Sequence, residues 1–113
     1  MNIERNKFLI TIKDMYSQGY TYLVKITAVD YIKTLTVIYI LRDIEKNKDQ
    51  ILEVNMPEED LWIESIMNVY NAADWYEREL HEMFGIKIKG RKLKRLLLEK
   101  SINEVPSGNA TVF

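Results

Sequence analysis

The chain has 113 residues, 47% hydrophobic and 29% charged, with a formal net charge of −1, the size and balance of one soluble globular domain. It contains no cysteine, which excludes disulfides and thiolate-held iron–sulfur clusters within this sequence. The near-neutral charge supplies no overall field for nucleic acid or membrane, and the longest apolar run, Leu35 to Leu41 broken only by Thr36, falls far below the roughly 20 residues of a membrane span.

Ile3 to Gln18 reads as a helix, with Phe8, Leu9, Ile12, Met15 and Tyr16 on one apolar side and Gly19 ending it. Residues Met1 to Lys7 carry no apolar region of signal-peptide type, so the expected location is the cytoplasm. Tyr20 to Tyr31 reads as a strand in which Tyr22, Val24, Ile26 and Ala28 alternate with Leu23, Lys25 and Thr27. After a short turn, Thr34 to Arg42 forms a second strand. Leu35, Val37, Tyr39 and Leu41 take one face, and Ile38 and Ile40 make the other apolar too, as in a central strand of an antiparallel sheet. Asp43 to Asp49 is a charged loop, and Gln50 to Met56 is a third strand closed by Pro57.

The stretch from Pro57 to Tyr70 admits two readings. Pro57-Glu58-Glu59-Asp60 has the form of a helix start. Alternatively the chain stays extended to Glu64 and a short helix begins with Ser65 as its N-cap. A strong helix follows from Asn71 to Ile86, with Asn71 as N-cap, Asp74 near the positive end of the dipole and Gly85 as the left-handed stop. Ala72, Tyr76, Leu80, Met83 and Phe84 form its apolar stripe; Glu77, Arg78, Glu79, His81 and Glu82 form the other face. Arg78 stands one turn from both Asp74 and Glu82. It belongs either to a solvated face of weak salt bridges or to a partly buried ion-pair network at a protein interface. Ile86 to Gly90 is a short strand or arm, Arg91 to Glu99 has Leu93, Leu96 and Leu97 at helical spacing, and residues 99 to 113 form an irregular tail.

Catalytic groupings are scarce. The single histidine, His81, lies beside Glu77 and Glu82 on a helix surface, short of the ligand set a zinc site requires. The four glycines are scattered and form no phosphate-cradling loop. The basic run Lys87, Lys89, Arg91, Lys92, Lys94 and Arg95 has the composition of a phosphate-binding arm, but no aromatics are interleaved with it. A nucleic-acid-binding module using residues 87–95 is therefore the alternative from another class.

Ala73, Trp75, Glu77-Arg78-Glu79, Met83-Phe84-Gly85-Ile86, Gly90, Leu93, Arg95, Leu96 and Leu97 together resemble the signature of the C subunit (30 kDa subunit) of NADH–quinone oxidoreductase, respiratory complex I. The same domain is found in energy-converting NiFe hydrogenases. The resemblance covers Leu23 to Leu98 and, with the strands and helices read above, implies an α+β fold: an antiparallel sheet of three to four strands with helices packed on one face, in a single domain over residues 1–98. It implies a non-catalytic assembly subunit, holding no cofactor or metal, that braces electron-transfer subunits. Its partners would be a hydrogenase-like large subunit and an iron–sulfur small subunit, on the inner face of the cell membrane, with membrane contact only through them. The implied interface and ion-pair residues are Trp75, Glu77, Arg78, Glu79, Phe84, Lys87, Lys89, Arg91 and Arg95. Where the family normally has His-Pro after the glycine, this chain has Arg91-Lys92. Where complex I members continue in a Pro-, Leu-, Arg- and Lys-rich motif, it has Ile102 to Pro106 and ends at Phe113. This points to the compact hydrogenase-type member, with the NADH–quinone oxidoreductase member as the alternative.

Overall fold

The structure, a computed structural model, describes residues 1–91. The expected Leu93–Leu97 helical segment, Arg95 and the tail from residue 99 lie outside the described residues. A 3-10 turn, Arg5–Lys7, leads into α1, Phe8–Ser17; then follow β1, Tyr22–Asp30, β2, Thr34–Asp43, β3, Lys48–Pro57, β4, Trp62–Glu64, α2, Ala73–Phe84, and β5, Lys87–Lys89. The architecture is α+β. β1, β2 and β3 form an antiparallel sheet in that order, with β2 central, and β4 and β5 form a separate parallel pair.

The inward face of β2, Leu35, Val37, Tyr39 and Leu41, is fully or almost fully buried. Phe8 and Ile12 of α1 and Leu80 of α2 belong to the same core, and the rings of Phe8 and Tyr39 lie 4.7 Å apart. Each such aliphatic or aromatic side chain removed from water contributes roughly 1.5–3 kcal/mol. Ile38 and Ile40, on the opposite face of β2, are half-buried.

Several boundaries differ from the sequence reading, each for a local hydrogen-bonding reason. The first helix does not start at Ile3. Ile3 N–H donates to Glu53 O and Glu53 N–H to Met1 O, both at 2.8 Å, so the N-terminus covers the open edge of β3 instead. The charged loop is shorter than Asp43 to Asp49, because Asp43 pairs with Lys48 and Arg42 with Asp49 across the hairpin; Arg42 Nε donates to Asp49 Oδ1 at 2.7 Å. β1 does not alternate throughout. The register shifts between Leu23 and Lys25, a bulge at Val24, which turns both Leu23 and Ile26 inward and leaves Tyr22 48% exposed.

Between Pro57 and Tyr70 no helix forms. Trp62–Glu64 runs parallel to Lys87–Lys89, held at its ends by Lys87 N–H to Leu61 O and Ser65 N–H to Lys89 O, at 3.0 and 2.8 Å. Ser65 Oγ does accept Met67 N–H at 3.2 Å, as a cap would, but the chain makes only a turn, with Val69 and Tyr70 N–H both bonded to Ile66 O. α2 begins at Ala73, and its N-cap residue is Ala72 rather than Asn71. Its C-cap is Gly85 at φ 71°, whose N–H donates to His81 O, the left-handed stop that glycine adopts most cheaply.

Candidate functional site

α2 buries Ala73, Glu77 and Leu80, a rotation from the expected stripe: Ala72 is exposed, Met83 is 71% exposed, and Glu77 enters the interior with no exposure at all. A carboxylate tolerates that position only if its lone pairs are occupied. Glu77 Oε1 accepts Ser65 Oγ–H at 2.8 Å and Arg91 Nη1–H at 3.1 Å, and Oε2 accepts Ile66 N–H at 2.8 Å. The carboxylate thus ties α2 to the turn after β4 and to the residue just beyond β5 and Gly90.

Arg91 is 10% exposed and forks. One nitrogen meets Glu77, and the other bonds Asp74 Oδ1. Asp74 Oδ1 also accepts Arg78 Nε–H at 3.2 Å, in a pair where both side chains are 49% exposed. The Arg91 hydrogen bond, and after it the one from Arg78, hold the Asp74 carboxyl below its ordinary range against the opposing effect of burial. Tyr39 completes the interior. Burial, and then the charge of Glu77, push its phenol well above its ordinary value, and its hydroxyl has no hydrogen-bond partner among the described residues.

The residues expected at an interface therefore divide. Glu77 and Arg91 form an internal ion pair. Arg78 does not share it; Arg78 and Glu79 point outward with Trp75, which is 65% exposed. By helical repeat Trp75, Arg78, Glu79 and Met83 share one side of α2, opposite Ala73, Glu77 and Leu80. Phe84 is half-buried against the core. Lys87 is exposed. The Lys89 ammonium lies 3.8 Å from the centre of the Trp62 ring, and the Arg5 guanidinium lies 4.3 Å from it, a cation–π arrangement. Arg95 lies outside the described residues.

Sequence reasoning missed Ser65, Ile66, Trp62 and Tyr39 as partners in this arrangement. One signal was present: Ala73, Glu77, Leu80 and Phe84 recur at four-, three- and four-residue intervals, so the helix repeat itself puts Glu77 among core positions. His81 is part of the helix ending, its Nδ1–H donating to Ile86 O at 3.0 Å. Among the described residues no group of three or more His, Asp or Glu side chains is placed to hold a metal ion, and no helix is long and apolar enough to cross a membrane. The Glu77 carboxylate is occupied by three donors from within the fold. The arrangement fixes one helix and presents its far side.

The sequence model of the respiratory-chain NADH dehydrogenase 30 kDa subunit family matches residues 1–109. The chain is 35% identical over 94 residues to the C subunit of NADH-quinone oxidoreductase from Rickettsia felis, covering 80% of this chain and 45% of that protein. It is 44% identical over 72 residues to the C/D subunit of NADH-quinone oxidoreductase from Chromohalobacter salexigens, covering 63% of this chain and 12% of that protein. The chain thus spans less than half the length of either relative. Two solved structures share the fold. A trypsin-resistant fragment of Nqo5 superposes with a TM-score of 0.77 at 23% identity, over 81% of this chain and 80% of that one. A chain of the membrane-bound sulfane sulfur reductase, an archaeal respiratory membrane complex, superposes at 0.76 and 22% identity, over 80% of this chain and 56% of that one.

Proposed function

The chain belongs to the respiratory-chain NADH dehydrogenase 30 kDa subunit family, and from that premise we propose that it is a non-catalytic structural subunit of a membrane-bound, complex I-like oxidoreductase. In this role it braces the subunits that carry electrons and meets the membrane only through them, on the cytoplasmic side. The observation that carries the proposal is the division of α2. A saturated Glu77–Arg91 pair locks one side into the fold, while the other side presents Trp75 and Met83, 65% and 71% exposed, among charged residues. Large exposed apolar side chains rimmed by charge have the composition of an interface centre.

The finer proposal is that the complex is an ion-translocating, energy-converting NiFe hydrogenase, with a hydrogenase-like large subunit and an iron–sulfur small subunit as partners. It rests on the sequence resemblance to the compact family members. NADH–quinone oxidoreductase is the second reading, favoured by the names of the curated relatives. The nucleic-acid alternative is weakened by the basic run itself, since Lys89 and Arg91 have partners inside the fold.

The test is to recover the tagged full chain from membranes of its native host, identify the co-purifying proteins and quantify nickel and iron. A large subunit with two Cys-x-x-Cys pairs, together with nickel, supports the hydrogenase. A large subunit without those cysteines, with quinone-dependent NADH oxidation, supports the second reading. Recovery of the chain alone contradicts the subunit role.

A further inference from the structure

A cavity of about 380 Å3 opens where the end of α1 meets the β2–β3 turn, lined among others by Gln18, Gly19, Thr21, Asp43, Glu45 and Lys46. Asp43 is only 6% exposed. Its Oδ1 accepts Lys46 N–H at 3.2 Å. Its Oδ2 has no hydrogen bond or ion pair among the described residues. That oxygen lies against Gly19, where an added Cβ would stand 2.7 Å from it and where φ is +112°. The backbone at position 19 thus leaves Oδ2 uncovered by any side chain of its own.

The Asp43 carboxylate is held by one backbone N–H and meets no cation among the described residues, so Oδ2 keeps its capacity to accept from a donor in the cavity. The other walls are rich in acceptors. Gln18 donates its amide nitrogen to Asp14 Oδ2 at 2.7 Å, which leaves its amide oxygen to accept, and Thr21 and the exposed Glu45 add further oxygens. A divalent metal ion asks for six or more oxygen ligands around one point, whereas here a single buried carboxylate oxygen faces a space many times larger than an ion, with Lys46 at its border. A planar group with several N–H donors suits such walls better.

We propose that this cavity is a receptor for one organic cation, an arginine head group presented by a protein partner, with Asp43 Oδ2 as its principal acceptor. The origin of the cation in a partner rests on the subunit role; the cation site itself does not, and it can be probed on the full chain alone.

The experiment titrates the full chain with guanidinium chloride at concentrations that leave it folded, and with N-acetylarginine amide. Sodium chloride and magnesium chloride at matched ionic strength are the controls, and backbone amide shifts are the readout. Guanidinium and the arginine amide are expected to shift the amides of Gly19, Asp43 and Lys46 saturably, while sodium does not. Asp43→Asn should weaken binding by about tenfold, the scale of one charge-assisted hydrogen bond. Lys46→Glu, an exposed change that preserves the backbone N–H bonded to Asp43, should tighten it. Equal shifts with sodium, a stronger response to magnesium, or unchanged affinity in Lys46→Glu would overturn the proposal, and the last holds even if Asp43→Asn fails to fold. Guanidinium binding by a chain that recovers no partner subunits would instead count against the subunit role alone.

Discussion

At Glu77 a carboxylate with no solvent exposure accepts hydrogen bonds from Ser65, Ile66 and Arg91. Removing Arg91 leaves the buried Glu77 charge without its cation, and removing Glu77 leaves the buried Ile66 N–H unpaired and Arg91 with Asp74 alone; breaking a buried pair in this way costs about 3–5 kcal/mol. Glu77→Ala and Arg91→Ala should each lower the chemical-denaturation free energy by that order, whereas Arg78→Ala, at a pair half open to water, should change it by about 0–1 kcal/mol. Asp74 supplies a pH test. Its carboxyl is held below the ordinary value by Arg91 and then Arg78, so its contribution is complete above the unfolded-state pKa and is lost as pH falls through the lower folded-state pKa. The melting-temperature difference between the wild type and Asp74→Asn should therefore be present at neutral pH and vanish on acidification; a difference independent of pH would contradict it. The outward side of α2 was legible in the sequence at Arg78 and Glu79, while Trp75 entered only through the family resemblance. Glu77 was legible only through the helix repeat that puts it among core positions; its place in a Glu-Arg-Glu triplet reads as surface until the donors that satisfy it are known, and two of those, Ser65 Oγ and Ile66 N–H, come from a turn more than ten residues away.

The elements show the same division between local and distant causes. α1, the three long strands and the glycine end of α2 follow from periodicity and from single residues such as Gly85, and all were legible. The parallel pair β4–β5 was not, since three-residue strands such as Trp62–Glu64 have too little pattern to reveal a partner 25 residues away. The β1 bulge was equally hidden. It takes Val24 out of the pairing register, and the Val24 carbonyl accepts Tyr76 Oη–H from α2 at 3.0 Å. The bulge and the helix are thus one device for seating α2 against β1. Tyr76→Phe removes only that hydroxyl, so it should lower the unfolding free energy by about 1 kcal/mol in denaturant titration; an unchanged midpoint would mean that water serves the carbonyl equally well.

For the whole molecule, the bracing of α2 against the sheet and β5 sets apart two classes of residue: Trp75 and Met83, exposed on the helix, and Lys89 and Arg91 of the basic run, which have partners within the chain. The second class predicts that duplex DNA and RNA will not bind tightly at physiological salt, because phosphate binding needs several free cations and falls steeply with ionic strength. Tight, salt-sensitive binding in a filter or anisotropy titration would contradict it. The first class carries the subunit role, and the decisive experiment on it measures partner recovery and melting temperature together for Trp75→Ala, Met83→Ala and Arg91→Ala. Trp75→Ala and Met83→Ala should melt as the wild type does but lose partner subunits in recovery from native membranes, while Arg91→Ala should melt early. Full partner recovery by the two helix-face variants, with unchanged melting, would show that this side of α2 is not where partners dock.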